Sequence, residues 1–230
     1  MNSGPLLFLG LFCTMAVSWL SFVLGPQLQI GGLEQGQVMT SNGPEDSKYP
    51  NLRAGQAIQG AEVYRANGCV ACHTQQVRPR EMGSDLDRGW GTHTRYSVAL
   101  DYIFDRTVQL GSQRVGPDLA NAGLRMDTST VLMRLYAPDK IAGGRTIMPP
   151  YRYLFEKRKV GQNPSIDALP VNVEPGWEII PRPEAISLAA YVASLRQDVY
   201  LFEAPPPFKP ATNSVNTTAT NAVNTNVPAK

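Results

Sequence analysis

Cys69, Cys72 and His73 stand together in the run Cys69-Val70-Ala71-Cys72-His73. Two thiols at this spacing, with an imidazole directly after the second, form the attachment signature of a c-type haem. Each thiol can add across one vinyl group of a porphyrin, and the imidazole then supplies the proximal ligand to the iron. A thioredoxin-like redox pair also uses C-x-x-C, but no βαβ pattern surrounds this one and a histidine follows it. Half of a zinc site is the other reading, and it needs two more Cys or His ligands. Outside the motif the chain holds only His93 and Cys13, and Cys13 lies in an apolar stretch as an inert packed thiol. Three cysteines build no disulfide framework.

An electron-carrying haem usually takes a sixth ligand, and in cytochromes c that ligand is commonly methionine, which raises the potential. Met82, Met126, Met133 and Met148 are the candidates. Met133 falls in a helical pattern and reads as core filler. Met148 precedes Pro149-Pro150 in a segment between two helices, where the prolines stiffen the chain and can hold a thioether inward. Met148 is therefore the expected axial ligand and His93, in a Gly-rich loop, its rival. A ligating histidine normally donates its other N–H to a carbonyl or carboxylate. The Gly116-Pro117-Asp118-Leu119 segment offers the Pro117 carbonyl for that purpose; the plain alternative is a helix-capping turn.

The elements that must position these residues are mainly helical. The first thirty residues contain no Asp, Glu, Lys or Arg, and Pro5–Gly25 is long and apolar enough to cross a bilayer. No basic residue precedes it and no A-x-A-like site follows, so it reads as a retained anchor rather than a cleaved signal. The expected organisation is a transmembrane anchor over 1–26, a linker over 27–52, a cytochrome c domain over 53–203 and a disordered tail over 204–230. Within the domain, helices are expected near 54–66, 99–109, 128–137 and 184–197, with Asn67-Gly68 as a left-handed cap. The stretches 78–96 and 156–183 read as loops. The fold class is thus mainly α, with long loops consistent with 20 Gly and 19 Pro. A formal charge of +2, with no basic cluster interleaved with aromatics, argues against nucleic acid as a partner.

The runs GAEVYRANGCVACHTQQVRP, RYSVALDYIFD, GSQRVGPDLA and IMPPYRYL occur in that order, and the anchor with residues 54–155 resembles the mono-haem subunit II of cbb3-type cytochrome c oxidases. The resemblance implies one haem c held by Cys69, Cys72, His73 and Met148, in a periplasmic domain docked on a catalytic haem–copper subunit. It also implies a position for Ser97 near a calcium shared with that subunit; helix capping is the ordinary role for a serine there. Residues 156–183 and the Asn/Thr tail depart from the family pattern. With no nucleophile–base pair, second metal site or nucleotide loop in the sequence, the chain reads as an electron-transfer subunit and not an enzyme on its own. Its electrons would come from a further cytochrome c subunit or a soluble cytochrome c and pass to a b-type haem. A free-standing membrane-anchored cytochrome c is the alternative. Haem c is attached on the outer side of the bacterial cytoplasmic membrane, which places the N-terminus in the cytoplasm.

Overall fold

The structure is a computed structural model and describes residues 3–40, 43–91, 95–201 and 204. His93 and the tail beyond Ala204 lie outside the described residues. Ala204 itself belongs to the folded part: it is buried and bridges to Leu201.

The N-terminal segment is one apolar helical rod, Gly4–Ile30, with no residue of its apolar window buried. It consists of α1 (Gly4–Trp19), a π turn (Leu20–Leu24) and α2 (Gly25–Ile30). Pro26 has no N–H to give the carbonyl one turn back. The ladder widens just before it, where the Gly25 amide reaches the Leu20 carbonyl, five residues away. At about 1.5 Å per residue the 27 residues span roughly 40 Å, more than a bilayer's hydrocarbon core.

Within the stretch 27–52, read from the sequence as a linker, β1 (Gly36–Thr40) and β2 (Gly43–Tyr49) form an antiparallel hairpin. Burial by remote residues explains this better than any local pattern. Tyr49 and Val38 join Leu100, Val98 and Leu201 in a small second core. Arg95 and Asp101 form an ion pair beside it, 2.7 Å apart and almost wholly buried, and the Tyr49 hydroxyl donates to Asp101 (2.6 Å).

The main core is built from α3 (Gly55–Ala66), α5 (Thr128–Tyr136) and α7 (Pro183–Ser194). On α3, Ala57, Gly60 and Tyr64 are buried against α7. A Cβ at Gly60 would sit 1.9 Å from the Ser187 carbonyl oxygen, so only glycine lets these two backbones meet. Tyr64 and Tyr191 stack edge to face beside the crossing, with centroids 5.5 Å apart. On α7 the buried residues are Ala185, Ser187, Leu188, Ala189, Tyr191 and Val192.

Two expected features are corrected. No helix runs over 99–109; a single 3-10 turn, Ala99–Tyr102, stands there. Asp101 folds back to accept from the Val98 amide and is committed to Arg95, while the Gln109 carbonyl accepts from the Gln75 amide. Backbone groups that a helix would use internally are therefore spent on distant segments. The stretch 156–183 is not irregular throughout: β3 (Phe155–Lys159) pairs antiparallel with β4 (Trp177–Pro181). Phe155 and Ile179 bury themselves in the main core, and Glu178 holds both Arg158 and the Ser165 amide.

Candidate haem site

Gly68, at φ 67°, closes α3 in the left-handed conformation and turns the chain into α4 (Cys69–Cys72), a single helical turn. Residues three apart in a helix face the same side, so Cys69 and Cys72 share one edge of this turn. His73 leaves it in an extended conformation, its amide still bonded to the Cys69 carbonyl (2.9 Å). Two long-range backbone bonds clamp the next segment alongside: the Gly116 amide to the Cys72 carbonyl, and the Leu119 amide to the Thr74 carbonyl, each 2.9 Å.

The His73 ring sits against Gly116, where a Cβ would lie 2.3 Å from its Cε1. Its Nδ1 is 2.8 Å from the Pro117 carbonyl oxygen. A carbonyl can only accept, so Nδ1 carries the proton and the Nε2 lone pair is left for a metal. Burial holds the imidazole below its ordinary value, with the Pro117 bond opposing and Arg125 adding to the fall. The neutral, ligating form is thereby favoured.

Cys69, Cys72, His73 and Met148 line a common cavity of about 420 Å³. Its inner wall is apolar, with Leu119, Val131, Leu135, Leu188 and Val192, and its mouth carries Val115 and Ile147. Burial pushes the Cys69 thiol up to about 11. Of the four candidate methionines, Met82 is exposed and Met133 packs on the core without lining the cavity. Met126 does line it, together with Met148. The Met148 segment is pinned where the Tyr151 amide donates to the Leu135 carbonyl of α5 (2.7 Å). The rival His93 falls outside the described residues. Ser97 caps no helix; its hydroxyl accepts from the Val77 amide and donates to Gln197.

Beneath the proximal segment, Asp118 is fully buried and accepts from the Gln76 and Ala120 amides (2.9 and 2.8 Å). Burial raises its carboxyl to about 6, against the pull of those two bonds. Sequence reasoning missed the arginine pair Arg125 and Arg134, which also line the cavity, and the contact of Gly116 with the imidazole. A signal for Arg134 was available, because it stands three residues after Val131 and next to Leu135 on the buried side of α5.

The donor set suits haem. Two thiols and an imidazole lie on adjoining residues, and a thioether shares their cavity with apolar walls for a macrocycle. Arg134 Nε is buried there with no hydrogen-bond partner, leaving a donor for an anionic group.

The family model described as cytochrome C oxidase, mono-heme subunit/FixO matches residues 40–171, more than half of the chain. The match covers the cysteine motif, Pro117, Met126 and Met148, and it continues to residue 171, into the stretch that the sequence reading set outside the family pattern. It begins after the apolar rod. Comparison with curated proteins gives no match. With that match added to the site, the chain belongs to the mono-haem subunit family of cytochrome c oxidase, as its resemblance to the cbb3-type subunit implied.

Proposed function

We propose that this chain binds one haem c through thioethers from Cys69 and Cys72, with His73 and Met148 as axial ligands, and that it relays electrons to the oxygen-reducing subunit of its oxidase. The carrying observation is the His73–Pro117 bond. It spends Nδ1 and leaves Nε2 as the ring's ligating atom in a cavity that both cysteines and Met148 also line. When bound, the haem supplies a one-electron carrier whose potential is raised by thioether ligation. The chain's own residues do the rest: α4 presents both thiols on one edge, Gly116 and Pro117 set the imidazole plane, and Leu119, Leu188 and Val192 keep water from the inner wall.

The apolar rod supports a single-pass anchor in the bacterial inner membrane. Haem c attachment outside the cytoplasmic membrane puts the folded domain in the periplasm and the N-terminus in the cytoplasm. The partners are a catalytic haem–copper subunit and, as donor, a further cytochrome c subunit or a soluble cytochrome c. A calcium near Ser97, shared with the catalytic subunit, enters only through the family resemblance; among the described residues no three acidic, His or Cys side chains group as a metal site.

Two measurements test the reading. A pyridine haemochrome spectrum of the denatured chain should show one covalently retained haem c, and Cys69→Ala with Cys72→Ala should abolish it. After mild detergent extraction, native electrophoresis should show the haem band migrating with a copper-containing b-type oxidase. Migration alone would support the free-standing carrier instead.

A further inference from the structure

We propose that Asp118 is a redox-linked proton site, whose buried carboxyl takes up a proton when the haem is reduced and returns it when the haem is oxidised. The inference rests on the haem reading above and gives a role to a carboxylate which that reading leaves without one.

Four carboxylates are buried among the described residues: Asp85, Asp101, Asp118 and Glu178. Three of them hold guanidiniums. Asp85 pairs with Arg78 and Arg114, Asp101 with Arg95, and Glu178 with Arg158. Asp118 forms no ion pair among the described residues. Its oxygens are spent on neutral amides instead, Oδ2 on Gln76 and Oδ1 on Ala120. Those amides belong to the two segments that carry the imidazole and its carbonyl partner, since Gln76 stands three residues after His73 and Ala120 three after Pro117. The carboxyl is thereby fixed on the proximal side of the site. Asp118 is fully buried, yet the chain is exposed at Pro117, one residue away.

A buried carboxylate without a counter-charge is costly, and its proton equilibrium moves toward neutrality. Burial is the largest influence on Asp118 and raises it; the Ala120 and Gln76 amides and the Arg114 guanidinium pull it down, Asp85 adds to the rise, and the carboxyl rests at about 6. Arg125 reaches only its backbone carbonyl. Arg78 and the phenols of Tyr64 and Tyr102 also feel its charge, and burial raises both phenols, so neither titrates near this range. Oxidation adds a positive charge at the iron and favours the carboxylate; reduction removes that charge and favours the acid. With each electron received from the donor, the carboxyl takes part of one proton from water, and no other bond forms or breaks. The coupling is reciprocal, so proton loss favours the oxidised state and the potential falls as the pH rises through about 6.

The test uses the full-length, haem-loaded chain in detergent. Spectroelectrochemical titration of the c-haem band should show that fall across the acid to neutral range, and Asp118→Asn should lose most of it. Redox-difference infrared spectra should show a carboxylic acid carbonyl band gained on reduction and missing from Asp118→Asn. The haem propionates titrate as well, and if they alone were responsible, Asp118→Asn would keep both the pH dependence and the band. That result, or a potential independent of pH in the unsubstituted chain, would overturn the proton site and leave the haem reading intact. If Asp118→Asn is not recovered with haem, Arg114→Gln serves in its place. Losing a cation that favours the carboxylate should move the fall to higher pH, and an unmoved fall would overturn the proposal. Absence of covalent haem from the unsubstituted chain would overturn both readings.

Discussion

His73 precedes α5 in the chain and Met148 follows it, yet both line one cavity, and Met126 lines it as well. Chain position favours Met148, because Pro149, Pro150 and the Tyr151–Leu135 bond hold its segment in place. Met148→Ala should lower the reduction potential and remove the sulfur-to-iron charge-transfer band, whereas Met126→Ala should keep that band. The reverse pattern would make Met126 the ligand. The cysteine pair proposed to carry the thioethers stands out in five consecutive residues because thioether chemistry depends on their local spacing. Met126 was not distinguishable, since nothing in its neighbours along the chain indicates which side chains will border the same void. The same holds for the glycine under the imidazole. Gly116 reads as a chain break in sequence, and its work is to let a ring from 43 positions earlier lie against the backbone.

Helix α5 starts where its sequence says it should. Asp127 caps it, accepting from the Thr130 amide (2.9 Å) and the Ser129 hydroxyl (2.9 Å). Bonds from Thr130, then Ser129, hold this exposed carboxyl down to about 2. A carboxyl with a lowered folded value binds fewer protons folded than unfolded. Its stabilisation is therefore present above the unfolded value of about 3.8 and lost as the pH falls through about 2. Asp127→Asn should keep much of the cap and remove this acid-side dependence, while Asp127→Ala should lose both, as followed by acid unfolding of the haem-loaded domain. Helices α3, α5 and α7 were legible because each repeats an apolar or small-residue face and carries its own start or stop signal. The 99–109 helix failed for the complementary reason. Its aspartate is committed to the buried Arg95 and its Gln109 carbonyl to the Gln75 amide, so local propensity loses to these contacts.

The whole chain joins an apolar rod to a haem-sized domain through a hairpin, and the Tyr49–Arg95–Asp101 cluster seals that junction. Arg95 also donates to the Val199 carbonyl (2.6 Å), so one guanidinium ties together the hairpin, the 3-10 turn and the segment after α7. Asp101→Asn would leave a buried guanidinium without its counter-charge, at a cost of about 3–5 kcal/mol. Chemical denaturation of the haem-loaded protein should register that loss, with little change in the haem spectrum because none of the three lines the haem cavity. The proposed anchor and the proposed covalent attachment needed no fold to be read: an uncharged run long enough for a bilayer and a five-residue motif are both properties of consecutive residues. Everything that makes the motif a site depends on chain crossings. The imidazole tautomer is set by a carbonyl 44 residues away, the dry wall by α5 and α7, and the positive charge by Arg125 and Arg134. Covalent spacing is local, whereas burial, ligand orientation and electrostatic environment arise only where distant segments exclude water together.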